Sequence, residues 1–404
     1  PMLFSPERLN HGLHQMVRYL HQNGVTAFNE PGAILVPGAW ELYQGILGAD
    51  DTPFFSYFLT DGRGPAEQQM PHDASLDRAE REYAMAPDGP DHIDRLAFFP
   101  KQVKLFADGA IISQLMQMRD PYLDRDGNAN PNHHGEWIMP PDMFEERSKL
   151  YWDAGFQIHV HVNGDLGLDM VLDMVERRLA ETPRDDHRTV IVHFANSTEE
   201  QVDRIAALGC IVSSNPYYPV GFADKFGEVG LGPQRADQMT RNRSVLERDV
   251  PLSFHSDLPM GRSDPIGMMA CAVNRITQSG RVAAPEQRLT IEQALRAVTI
   301  DAAYSWRKED ELGSIEVGKV ANFTVVDENP LDAAPIRLDE IEVIGTVFRG
   351  EWFAVPGEVR ERAAAAASRG PGALQLIAGS GAHDDHGGAG CICDVARAVL
   401  RAIA

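Results

Sequence analysis

Apolar residues along this chain fall into short runs, most of them rich in β-branched or aromatic side chains. The runs are Gly-Val-Thr-Ala-Phe (24–28), Phe-Phe-Ser-Tyr-Phe-Leu-Thr (54–60), Val-Lys-Leu-Phe (103–106), Phe-Gln-Ile-His-Val-His-Val (156–162), Thr-Val-Ile-Val-His-Phe (189–194), Cys-Ile-Val-Ser-Ser (210–214) and Leu-Ser-Phe-His-Ser (252–256). Between them lie segments with helical spacing, notably 142–155, 166–181 and 197–209. The last of these opens with Ser197 and Glu200 at capping-box spacing and closes on Gly209. After the final run, 290–306 reads as one long helix.

Strand and helix in alternation, with strands almost continuously apolar, predict a parallel sheet covered by helices. Seven runs fall one short of a (β/α)8 barrel and exceed the usual doubly wound sheet. From Gly313 the texture changes. Segments 313–327 and 341–354 are short strand runs broken by glycine, as in a small all-β satellite domain. Beyond them come an Ala-rich helical stretch (359–372), a Gly-rich flexible stretch (378–390) and a short amphipathic segment (394–404). The expected organisation is a barrel over 1–312, a satellite over 313–357 and a tail over 358–404.

Charge narrows the partners. The 404 residues carry 37 Lys plus Arg against 59 Asp plus Glu, a formal charge of −22. Such a surface repels phosphate backbones and anionic lipid, so nucleic acid and membrane are not expected partners. No apolar stretch nears the roughly 20 residues that span a bilayer. Cys210 and Cys271 lie in apolar segments as small core residues, and Cys391 and Cys393 are too close for an easy mutual bridge. With no disulfide framework, a reducing, cytoplasmic setting is expected. The expected partners are a small-molecule substrate and, at most, a second copy of the chain in a homodimer.

Polar residues gather near the C-terminal ends of the runs. Lys104 precedes Asp108-Gly109; His159 and His161 are two apart and share a strand face. His193 ends the fifth run, Asn215 follows the sixth, and His255-Ser256-Asp257 ends the seventh. In a parallel barrel these ends converge on one mouth. Singly, each has a plain explanation: a satisfied core histidine, a snorkelling lysine, a turn-capping aspartate. Jointly they point to a shared site, because a buried Lys and a buried Asp cost several kcal/mol unless paired or metal-bound.

The spaced set resembles the metal-dependent amidohydrolase superfamily, and most closely amidohydrolase family 3, the branch that includes N-substituted formamide deformylase. Val-Lys-Leu-Phe-Ala-Asp-Gly-Ala-Ile (103–111) is similar to its fourth-strand motif, and His-Val-Asn-Gly-Asp (161–165) to its fifth-strand His-Ala-Ile-Gly-Asp. Val-Ile-Val-His-Phe-Ala-Asn (190–196) resembles its Glu-His-Ala-Gln stretch, and His-Ser-Asp-Leu-Pro-Met (255–260) its Gly-Ser-Asp-Ala-Pro-Val. The likeness runs from about residue 6 to 355. It implies an α/β fold, a (β/α)8 TIM-like barrel with a β-sandwich satellite, and hydrolysis of a non-peptide carbon–nitrogen bond of an amide through a metal-bound hydroxide. It implies two divalent ions, usually Zn2+, with Lys104 carboxylated by CO2 and Lys104, His161, His193 and Asp257 as ligands. Asp257 would also shuttle the catalytic proton, and His159 would lie one layer deeper than His161.

The sequence departs from the family in places. No His-x-His pair precedes Lys104; His11, His14 and His21 lie on an early helix-like segment. The family's first strand and the N-terminal part of its sandwich are therefore expected to be missing, and a non-catalytic, ligand-binding chain is the alternative. Taking His159 and His161 as that pair is set aside, since Lys104 would precede it and too few strands would follow. Asn322 stands where the family has Asp after Gly-Lys-x-Ala. Substrate choice is expected in the long loops 107–137 and 215–230, with Asp108, Asn215, Tyr217 and Tyr218 as substrate-binding candidates. With Met116 and Met118 the tyrosines suggest an adaptable apolar pocket; simple loop packing is equally open. An ester or lactone substrate is a further alternative. His133 and His134 are expected to face solvent. The His, Asp and Cys residues of 383–393 match no zinc template and read as flexible tail.

Overall fold

A computed structural model describes residues 6–33, 38–63, 72–84 and 95–355. The tail readings, with Cys391, Cys393 and the cluster at 383–393, lie outside the described residues. Each of the seven runs contains or adjoins a strand: β1 (Ala27–Ala33), β2 (Phe55–Asp61), β3 (Leu96–Phe106), β4 (Gln157–Val162), β5 (Val190–His193), β6 (Ile211–Ser214) and β7 (Leu252–Phe254). They form one parallel sheet in sequence order, with helices between successive strands. Among the described residues β1 and β7 each pair on one side only, so the sheet does not close on itself.

The boundaries differ from the sequence pattern for local reasons. β1 starts three residues into its run because Gly24, at φ 73°, ends the helix Pro6–Gln22, its amide donating to the His21 carbonyl. β3 begins well before Val103; it bulges at Lys101 (φ 52°) and resumes pairing with β2 at Thr60. The capping box after β5 is real but displaced by one residue. Thr198 and Gln201, not Ser197 and Glu200, bond reciprocally and open the helix Glu199–Ala207. That frame buries Val202 and Ile205 and lets Gln201 reach Asp165 and Asp169 of the preceding helix. The long helix expected at 290–306 is two, Ile291–Ala297 and Ile300–Ser305. Thr299 breaks it: its hydroxyl donates to the Leu295 carbonyl, and its backbone (φ −125°, ψ −100°) leaves the helical region.

The outward faces of the central strands form the main core. Ile158, Val160 and Val162 of β4, Ile191 of β5 and Val212 of β6 pack with Leu168, Val171, Leu172 and Val175 of the helix Asp165–Glu181. Each such side chain contributes about 1.5–3 kcal/mol by leaving water. A second sheet, antiparallel in the order β10-β9-β8, comprises β8 (Phe323–Val326), β9 (Val343–Phe348) and β10 (Glu351–Ala354). Arg349 and Gly350, both at positive φ, make the tight β9–β10 turn. This sheet docks at the N-terminal end of the barrel strands. The Phe348 ring meets Phe55 of β2 at 4.9 Å, Tyr57 stacks on Phe99 at 4.6 Å, and the Thr324 hydroxyl donates to the Gly24 carbonyl.

Candidate active site

The inward faces of the strands enclose a cavity of about 500 Å³. Lys104, His159, His161, His193, His255, Asp257 and Glu30 all line it. Register explains part of this. Lys104 pairs with His159 and Phe106 with His161, so alternation brings this face of β3 and β4 inward while Val103, Leu105, Ile158 and Val160 go to the core.

Alternation fails for His193. It pairs with Val162, an outward core residue, and by parity would point outward beside Ile191. Its backbone instead takes φ 78°, followed by Phe194 at φ 52°, and the imidazole turns inward. Asp257 is also left-handed, at φ 55°. A non-glycine residue held there costs about 1–3 kcal/mol, and such strain concentrates at functional sites.

The groups meet as follows. The His161 and His193 rings are 4.3 Å apart, edge to face, and His193 and His255 are 4.8 Å apart. His193 Nδ1 lies 2.9 Å from His255 Nε2, 3.2 Å from the Tyr218 hydroxyl and 4.0 Å from Asp257 Oδ2. Asn163 Nδ2 donates to His161 Nε2 at 3.0 Å. Deeper in the barrel, His159 Nε2 is 3.1 Å from Gln102 Oε1 and is buried.

Burial governs the charges. It lowers the Lys104 ammonium to about 7, against the pull of Asp257, Glu30 and Asp61. Burial, reinforced by Lys104, lowers His159 and His161 to about 3, and burial, Lys104 and His161 do the same for His255. His193 falls well below the usual imidazole value through burial, His161, His255 and Lys104. Burial raises Asp257, and burial together with Asp257 raises Glu30. At neutral pH the mouth therefore holds neutral imidazoles, that of His161 already accepting from Asn163, an amine near its titration point and the carboxyl groups of Glu30 and Asp257, both raised from their ordinary values. Neutral imidazole and carboxylate are the donors a hard or borderline divalent cation takes. The chemistry fits such an ion, although among the described residues no three His, Cys, Asp or Glu side chains already converge at ligand geometry.

Lys104, His161, His193 and Asp257, the ligands expected from the sequence, are thus brought to one cavity. Of the substrate-binding candidates, Tyr218 reaches the site, its hydroxyl 3.2 Å from His193 Nδ1, while Asp108, Asn215 and Tyr217 make the following contacts around it. Asp108 is fully buried and its oxygens accept from the backbone amides of Asn163, Gln117 and Gly164, so it shapes the loop after β4. Burial nonetheless pushes it up to about 7 against those three donors. Asn215 ties the end of β6 to Ser256 beyond β7, its Nδ2 donating to the Ser256 carbonyl. The Tyr217 hydroxyl donates to the Arg262 carbonyl, and Tyr218 faces His193. Segment 215–230 is no loop for most of its length but the helix Tyr217–Glu228, started where Asn215 Oδ1 accepts the Tyr217 amide. Met116, Met118 and Tyr218 are buried together with Tyr122 and Phe226 and pack the two segments against each other, while the Tyr218 hydroxyl reaches His193. His133 and His134 are half-buried, His133 stacked on Tyr122 and His134 bonded to the Met118 carbonyl, rather than facing solvent.

His255, named with Asp257 at the end of the seventh run, was given no role there, and one group escaped the sequence reading altogether. Glu30, at the end of the Ala-Phe-Asn-Glu stretch of β1, faces the cavity opposite Lys104 and Asp257; an acidic residue within a strand run was the available signal.

Residues 2–353 match the family described as the amidohydrolase family. The chain belongs to that family. It is 32% identical to an N-substituted formamide deformylase of Arthrobacter pascens over 248 residues, 61% of this chain and 44% of that protein. It is 30% identical to Protein LONG AFTER FAR-RED 3 of Arabidopsis thaliana over 232 residues, 57% of this chain and 39% of that one. The chain thus spans less than half the length of either relative. An uncharacterised metal-dependent hydrolase from Pyrococcus horikoshii OT3 superposes with a TM-score of 0.63 at 21% identity, covering 82% of this chain and 62% of that one. That likeness carries the barrel-type fold, a parallel sheet with a small β satellite. Among the described residues no helix is long and apolar enough to cross a membrane.

Proposed function

We propose that this chain carries a hydrolytic site for a non-peptide carbon–nitrogen bond of a small amide, an N-formyl or N-acyl compound, working with divalent cations, two Zn2+ in the intact enzyme. The observation that carries the reading is the placement of Lys104, His161, His193 and Asp257, from four different strand ends, around one cavity. Family membership and a formamide deformylase relative support the choice of bond. A cation held by these groups would polarise the substrate carbonyl and acidify a water molecule beside it.

The residues supply the rest. Lys104, with its amine near 7, is nucleophilic enough to add CO2: the nitrogen lone pair forms the N–C bond, one N–H proton leaves to solvent, and a carbamate results. That converts a cation-repelling group into an anionic ligand. His161 and His193, kept neutral by burial, each carry one lone pair; that of His161 accepts from Asn163 Nδ2, which would give way to a cation. Asp257 is half-exposed, with its carboxyl raised by burial against the pull of Lys104, and lines the cavity. It takes a proton from the attacking water and returns it to the leaving nitrogen.

The test is metal analysis of the full-length protein beside a panel of N-formyl amides, N-acyl amides, esters and lactones. About two divalent ions per chain and amide turnover are expected; no bound ion ends the reading, and turnover of esters alone moves the substrate class. A second reading, ligand binding without turnover, starts from the departure from the family motif, in which a His-x-His pair precedes the lysine that Lys104 resembles. Metal uptake with no turnover across the panel selects it.

A further inference from the structure

One imidazole at the mouth has no part in the reading above. His255 directly follows β7, and its amide donates to the Ser214 carbonyl at 3.1 Å, extending the ladder with β6 by one residue. Its side chain shares the inward face with Ser253 and Ser213. Nδ1 lies 3.1 Å from Ser213 Oγ, which leaves Nε2 directed at His193 Nδ1, 2.9 Å away. Two imidazole nitrogens that close need a proton or a cation between their lone pairs. Ligands at about 2.1 Å from one tetrahedral cation stand roughly 3.4 Å apart, so the two rings would part by about half an ångström to admit one.

We propose that His255 is a further metal-ligating residue: His193 Nδ1 and His255 Nε2 form a two-imidazole chelate for one divalent cation, with Asp257 as its neighbouring oxygen donor. The inference rests on the proposed metal-dependent reading and adds a ligand to it. Asp257 Oδ2 is 4.0 Å from the same His193 nitrogen. Ser213 fixes the His255 ring so that Nε2 faces the cavity. The Tyr218 hydroxyl, 3.2 Å from His193 Nδ1, competes with the cation for that lone pair.

The experiment titrates Co2+ into the full-length protein and follows visible absorption together with calorimetric affinity. His255→Gly should weaken one Co2+ site by about 100-fold and change the ligand-field spectrum, whereas Ser213→Ala should weaken it by about 10-fold. Tyr218→Phe should leave the affinity equal or higher. If His255→Gly loses its fold in EDTA by circular dichroism, His255→Phe, which keeps the ring volume, takes its place. Unchanged affinity and spectrum in the His255 variant would overturn the assignment while leaving the metal-dependent reading intact. Absence of Co2+ uptake by the unmodified protein would overturn both.

Discussion

The two ends of the parallel sheet are built from the same strands and on opposite principles. At the N-terminal end Phe55 and Tyr57 of β2, Phe99 of β3, Trp306 and, from the small sheet, Phe348 pack ring against ring in an apolar cluster. At the C-terminal end Lys104, His161, His193, His255, Glu30 and Asp257 crowd one cavity, and burial drives most of them toward their neutral forms. The closed end gains free energy from every contact. The open end loses some through desolvation and through left-handed backbone at His193 and Asp257, and is held in place by what surrounds it. One end stabilises and the other performs chemistry.

Substitutions at the two ends should therefore fail in different assays. Asp257→Asn should cut turnover by about 1,000-fold or more while the urea midpoint stays near that of the parent, because the group removed is a half-exposed, desolvated carboxyl. Retained turnover would take the proton-shuttling role from it. Lys104→Ala should lose about 100-fold or more in turnover and recover part of it with short carboxylic acids that stand in for a carbamate; an unaffected variant removes the carbamate from the proposal. At the other end, Phe55→Ala should cost about 3–5 kcal/mol in denaturant unfolding yet leave turnover per folded molecule nearly unchanged, since Phe55 is fully buried far from the mouth.

Acid should separate the ends most gently. His159, His161 and His255 are lowered to about 3, below the ordinary imidazole value of 6.5. The unfolded chain then binds protons that the folded chain does not, so stability is full above about 6.5 and declines as pH falls toward 3. Denaturation midpoints at pH 7.5 and 5.0 should show the decline. His159→Gln, which keeps a partner for Gln102 and removes one titrating group, should show a shallower one.

Much of this was legible in the chain. The period of two in β4, Ile158, Val160 and Val162 against His159 and His161, states which side is core and which is cavity before any tertiary contact is known. Seven strands, a parallel sheet and a β satellite follow from runs of apolar residues and their spacing, because local backbone geometry alone sets those periods. The site was partly legible for the same reason: Lys104 and His161 lie on regular strand and obey alternation. Helix ends were less so. Ser197-Thr198-Glu199-Glu200-Gln201 contains two overlapping capping boxes, and the choice between them was made by Gln201 reaching Asp165 and Asp169 on another helix.

By itself, then, the amino-acid order determined the strand count, the parallel class, the acidic surface and the identity of the polar residues that end the strands. Only the tertiary structure decided that His193 turns inward against its own alternation, that His255 meets it nitrogen to nitrogen, and which backbone groups Asp108, Asn215 and Tyr217 bond. The physical reason is range. Periodicity is a property of neighbouring φ and ψ, whereas a left-handed residue, a shared lone pair or a buried carboxylate is set by partners tens of residues away, and no local pattern encodes them.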